Sequence, residues 1–184
     1  MNPAPQQALE AVGRARNTEL AVRIGNKARA ALAHERTALA ALAAADAGAS
    51  YRAIGAKLGI SHVAVGALVA KARALPPLVE GRAGRSPLHI AMRHAAGEID
   101  RATLVEALAT WPYAPPDTLP VGLPDHGAAL PAPGAFDEVH DALVHGYLDE
   151  DVYDAILLRR AEQQSPRRSS LAHPEKVSAR RRTR

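Results

Sequence analysis

The chain has no cysteine and very few aromatic residues: one tryptophan, one phenylalanine and four tyrosines, together 3% of 184 residues. Without cysteine there is no disulfide framework, no thiolate zinc site and no cysteine nucleophile. No apolar run approaches the roughly 20 residues that a membrane helix needs, so no membrane partner is expected. The N-terminal MNPAPQQALEAVGR lacks the basic and apolar regions of a secretory leader. The expectation is a cytoplasmic protein. The apolar fraction is 47%, but alanine supplies much of it and buries little area. Any core should therefore be thin, and the chain should be built from small modules within one ordinary domain or two small helical ones. Low lysine with abundant alanine, arginine, glycine and proline is the usage of a GC-rich genome.

The net charge of +4 conceals a pattern. Residues 1–85 carry 12 Lys/Arg against 5 Asp/Glu, residues 86–162 carry 4 against 13, and residues 163–184 carry 7 against 1. A basic front, an acidic middle and a basic end argue for different partners along the chain. Basic surfaces gather at polyphosphates because binding releases counterions. The acidic middle would be repelled from them.

Good helix formers dominate residues 1–34, and Leu9, Val12, Leu20, Ile24 and Leu32 recur loosely at helical spacing. This segment reads as an exposed arm or an oligomerising helix. Its Arg14, Arg16, Arg23, Lys27 and Arg29 form a solvated face more readily than a DNA-facing one. Glu35–Ala45 reads as a second helix, continuous with the first or separate from it, that opens a unit at 35–75. Asp46-Ala-Gly48 stops it and Ser50 caps the next helix. Residues 76–86, rich in proline, glycine and arginine, read as a linker. Its GRAGRSP stretch (Gly81–Pro87) has the Arg-Gly pairs of a minor-groove hook, although a plain flexible tether accounts for it better. Residues 87–163 read as helical hairpins around Gly97 and Gly146, separated by a Pro-rich loop at 111–134. Residues 164–184 are polar and Arg-rich and read as a disordered tail.

The two hairpins share a pattern. Gly97-Glu-Ile99-Asp100 aligns with Gly146-Tyr-Leu148-Asp149, Leu104 with Tyr153, and Leu108 with Leu157, always 49 residues apart. Glycine ends one helix in a left-handed turn, the aliphatic residue plugs the corner, and aspartate caps the next helix. Duplication or this shared hairpin logic accounts for it equally well.

The strongest signal is Ser50–Ala70, SYRAIGAKLGISHVAVGALVA. A helix-turn-helix needs a small residue where its helices cross, a glycine in the turn and apolar residues facing inward. Gly55 fits the crossing and Gly59 the turn. Ser61 caps the second helix, and Ile54, Leu58, Ile60, Val65 and Leu68 fill the apolar positions. The stretch resembles the helix-turn-helix of sigma-factor region 4 and of many bacterial and phage transcription regulators. That resemblance implies that His62–Lys71 is a recognition helix lying in the major groove of double-stranded DNA. Its outward positions would be His62, Val63, Ala64, Gly66, Ala67 and Lys71. Few of these can hydrogen-bond to base edges, whereas Val63, Ala64 and Ala67 can touch thymine methyls. Weak sequence discrimination is expected, with affinity coming from phosphate contacts by Arg52, Lys57, Lys71 and Arg73. Ser61, at the helix start, completes the expected DNA-binding set.

Phe136–Ala161, FDEVHDALVHGYLDEDVYDAILLRRA, resembles the short bacterial C-terminal helical hairpin called SHOCT. The resemblance implies oligomerisation or docking to a protein through 87–163. Val139, Leu143, Leu148, Val152, Tyr153, Ile156 and Leu157 would form its apolar face. The earlier copy departs from the family at Leu104, where the aromatic is missing.

No catalytic constellation is spelled out, and neither cofactor nor metal is expected. His89/His94 and His140/His145 are spaced i,i+5, which puts each pair on different sides of a helix, whereas zinc-binding helices use i,i+4 or i,i+3. The acidic Asp149-Glu150-Asp151 opens a helix, where carboxylates favour the positive dipole end. The sequence reading is thus an all-α, non-enzymatic protein. It comprises a three-helix helix-turn-helix unit, one or two short hairpins and a disordered basic tail, acting as a transcriptional regulator or accessory DNA-binding factor. The rival is an adaptor that grips another protein through the same trihelical unit and its hairpins, without touching DNA.

Overall fold

The computed structural model describes residues 4–114 and 134–164, and among them all regular structure is helical. The protein is all-α. Its helices are α1 (Ala4–Asp46), α2 (Tyr51–Leu58), α3 (His62–Arg73), α4 (Pro87–Ala95), α5 (Arg101–Ala109), α6 (Asp137–Val144) and α7 (Glu150–Gln164). The tail at 165–184 and residues 115–133 of the Pro-rich stretch lie outside the described residues.

The organising element is α1, a single unbroken helix of 43 residues, about 65 Å long at 1.5 Å per residue. Of the two alternatives for Glu35–Ala45, continuity with the helix before it holds, because nothing around His34-Glu35 interrupts a run of strong helix formers. Gly25 is kept free of a side chain by packing: a Cβ there would lie 3.1 Å from the Ala95 carbonyl oxygen. The helix stops at Gly48, whose φ is +91°. There Gly48 N–H reaches Ala45 O and Ala49 N–H reaches Ala44 O, closing a Schellman turn.

Two cores share this rod. Ala38 and Ala41 of α1 pack with Ile54 of α2 and with Val65, Leu68, Val69 and Ala72 of α3. Three of these seven are alanines, so the core is as thin as the composition implies. Farther upstream, Ala28 and Leu32 pack into a second core with Ile90, Leu104, Leu108, Val139, Val152 and Ile156 from α4–α7 and Leu148 from the turn between α6 and α7. The segment read as an arm is therefore two things. Residues 5–23 are exposed, whereas Ile24, Ala28 and Leu32 belong to the second core.

The two hairpins turn at Gly97 (φ +82°) and Gly146 (φ +74°). Asp100 accepts from Thr103 N–H at 2.7 Å and Asp149 from Val152 N–H at 2.8 Å, so each caps the helix that follows. The hairpins face each other, α4 on α6 and α5 on α7. Glu138 of α6 joins them, because its carboxylate accepts from Leu88 N–H at the start of α4 (3.1 Å) and from Gly134 N–H (2.7 Å). Tyr113, Phe136 and Tyr153 cluster beside it, with the Arg160 guanidinium over the Tyr113 and Phe136 rings. The expected apolar face of the second hairpin needs one correction. Leu157 is 40% exposed, while Ala142 and Tyr147 are buried, because α7 turns Val152 and Ile156 towards the core.

Residues 76–86 are not a free tether. Arg85 donates to Glu35 Oε1 (2.9 Å) and to Pro76 O (2.9 Å). Arg82 stacks on Trp111 at 4.7 Å, and Arg93 donates to Ala83 O. A Cβ on Gly84 would sit 2.7 Å from His89 Nδ1 and Ile90 Cγ1, so this glycine serves close packing. Arg85 is largely enclosed, and Arg82, although exposed, stacks on Trp111, so intramolecular contacts hold this stretch and it is not the plain flexible tether expected.

Candidate nucleic-acid interface

The α2–turn–α3 geometry follows from three small residues. The helices bend by 97° across the turn. Ile60 N–H bonds to Gly55 O at 3.0 Å, and a Cβ on Gly55 would lie only 2.6 Å from Ile60 O, so the crossing tolerates no side chain. Gly59 takes φ +68°, a left-handed conformation that costs glycine little. Ser61 then accepts from Ala64 N–H at 3.1 Å, and Ser50 caps α2 likewise through Ala53 N–H at 3.3 Å. Each cap satisfies one of the free donors at a helix start.

α3 buries Val65, Leu68, Val69 and Ala72, which places Val63, Ala67 and Ala70 at the centre of its opposite face. Val63 is 69% exposed. Ser61, His62, Ala64, Ala67 and Lys71 are exposed too, as are Arg52 and Lys57 on α2 and Arg73 at the end of α3. Gly66 is half-buried, and a Cβ there would rest 3.6 Å from the Tyr51 ring. Of the four expected phosphate partners, Arg73 pairs with Asp46 (3.1 Å) in an exposed ion pair. Arg52, Lys57 and Lys71 make no ion pair among the described residues. No carboxylate occurs between Ala47 and Val79, so α2, the turn and α3 carry only positive formal charges.

The turn departs from expectation on one side. Leu58 and Ile60, read as inward-facing, are 39% and 40% exposed. They line an open groove of about 480 Å³ with His34 and Thr37 of α1 and Ala64, Ala67, Leu68 and Lys71 of α3. The reason is tertiary: α1 runs past the turn without a break, and no described element covers the gap. His34 and Thr37 carried no sequence signal for such a position. They join the groove only because α1 continues unbroken over it.

Among the described residues the histidines do not gather. His89 is held between Arg85 N–H, which donates to its Nδ1 at 3.3 Å, and Glu35, whose Oε2 lies 3.5 Å from its Nε2. The neutral form with the proton on Nε2 suits both partners. Burial pushes its pKa below the ordinary value, with the Arg93 and Arg85 charges adding to the shift and Glu35 opposing it. His94 meets the Ile99 carbonyl through Nδ1 at 3.2 Å. Among the described residues, no group of three or more His, Asp or Glu could hold a metal ion, and no single helix is long and apolar enough to cross a membrane. No protein-family model, curated protein or solved structure matches the chain.

Proposed function

We propose that the chain is a non-enzymatic DNA-binding protein whose α2–turn–α3 unit is a helix-turn-helix. It would place α3 in the major groove of double-stranded DNA and serve as a transcriptional regulator or accessory factor. One observation carries the reading: the close crossing at Gly55 and the left-handed turn at Gly59 present an exposed helix within a stretch that has four basic residues and no acidic one. Arg52, Lys57 and Lys71 supply phosphate contacts, and Arg73 joins them by exchanging Asp46 for phosphate. The acidic hairpins stand off the DNA and take a protein partner or a second copy. Binding of random duplex DNA, followed by fluorescence anisotropy across a salt series, tests the reading. Phosphate-led binding weakens steeply with salt, and absent or salt-independent binding overturns it.

A second reading rests on the apolar groove. Leu58 and Ile60, half-exposed beside Ala64 and Ala67, suit an adaptor that grips a protein. Full-length protein that shifts no duplex at low salt favours it.

A further inference from the structure

We infer that α3 selects its DNA through the 5-methyl groups of thymine, by apolar contact and not by hydrogen bonds to base edges. The inference rests on the DNA-binding reading above. The face of α3 opposite its buried side is formed by Val63, Ala67 and Ala70, none of which has a side-chain donor or acceptor. Ala64 extends this strip towards Ile60. At the start of the helix, the Ser61 oxygen is engaged by Ala64 N–H.

The major groove offers such a strip one apolar feature. Each base pair presents its own donors and acceptors, and thymine alone adds a methyl group at C5. A run of G·C pairs would press polar edges against Val63 and Ala67 with no partner, at a desolvation cost. Thymine methyls meet the same side chains favourably. The alanines matter by their size, since no long side chain holds the helix away from the groove floor. Charge completes the match, because Arg52 and Lys57 of α2 and Lys71 of α3 are exposed and no carboxylate occurs between Ala47 and Val79.

The test uses the full chain and two pairs of short duplexes. One pair is A·T-rich and differs only in having thymine or uracil, which keeps every hydrogen-bonding group and removes the methyl. The other is G·C-rich and carries cytosine or 5-methylcytosine, which adds a methyl at the same ring position. Uracil should weaken binding by about fourfold for each methyl buried, and 5-methylcytosine should strengthen it in the second pair. Val63→Ala, at a 69% exposed position, should keep its helical circular dichroism and narrow the thymine-to-uracil ratio. Equal affinities within both pairs, with tight and salt-dependent binding retained, overturn the methyl reading and leave the DNA-binding one standing. Failure to bind any duplex overturns both.

Discussion

Gly55 and Ile60 approach so closely that a single methyl group on Gly55 would stand 2.6 Å from the Ile60 carbonyl oxygen. The obstacle is backbone, which cannot swing aside as a side chain can. Gly55→Ala should therefore push α2 and α3 apart and destabilise the trihelical core by roughly 1–3 kcal/mol. Gly13→Ala is the control, since a Cβ there meets nothing within 4 Å. It should raise helix content in α1, because glycine inside a helix costs roughly 0.5–1 kcal/mol relative to alanine. Thermal and urea unfolding of the two variants separates the effects. Equal behaviour would mean that the crossing is looser than described.

Gly59→Val and Ala64→Arg lie five residues apart and should act oppositely. Gly59 holds φ +68° with open space around it, so the cost is backbone strain alone, on the order of 1–3 kcal/mol for a β-branched residue. A core built on Ala38, Ala41 and Ala72 has little reserve against that. Ala64 is exposed, so its replacement by arginine loses no packing and adds a donor and a charge. Circular dichroism should show Ala64→Arg folded and a mobility shift should show its DNA affinity changed. A folded variant with unchanged affinity would favour the adaptor reading.

Glu35 ties α1 to the segment that follows α3. It pairs with Arg85 at 2.9 Å, with both side chains less than one-fifth exposed, and meets His89 as well. Removing it by Glu35→Ala leaves a half-buried guanidinium short of a partner, which costs about 1–3 kcal/mol. Glu10→Ala removes an exposed i,i+4 pair with Arg14 and should change stability by less than about 0.5 kcal/mol. Denaturant melts of both check the contrast. Equal losses would mean that residues 76–86 are not pinned in solution.

Stability should fall in acid in two stages. His89 has its pKa held below the ordinary 6.5, chiefly by burial. As pH drops below about 6.5, the unfolded chain binds a proton that the folded chain resists, so stability that is complete above that pH declines. At lower pH the Glu98 carboxyl contributes. Partial burial raises its pKa, but hydrogen bonds from Arg36 and Arg93 outweigh this and hold it below 4.5. That stabilisation is present above 4.5 and is lost as the carboxyl protonates. His89→Gln should flatten the first stage only, read as urea midpoints between pH about 7 and about 5. An unchanged slope would place the proton elsewhere.

Local chemistry was legible because it is local. Gly59, Gly97 and Gly146 at the turns, with the caps Ser50, Ser61, Asp100 and Asp149, each act within a few residues along the chain. A reading of spacing alone finds them, and with them the all-α class and the two hairpins. Exposure of Val63, Ala64, Ala67 and Lys71 followed from helical periodicity in the same way. What the sequence by itself determined was thus where most helices start and end and which face of α3 is apolar. Tertiary structure alone decided that α1 serves both cores, that Ile24, Ala28 and Leu32 of the supposed arm are packed, and that Arg82 and Arg85 contact Trp111 and Glu35. It also decided that Leu58 and Ile60 line an open groove. These depend on partners up to 67 residues away, as in Arg29 donating to the Ala96 carbonyl. An apolar residue at an inward position is buried only if a distant element arrives to cover it.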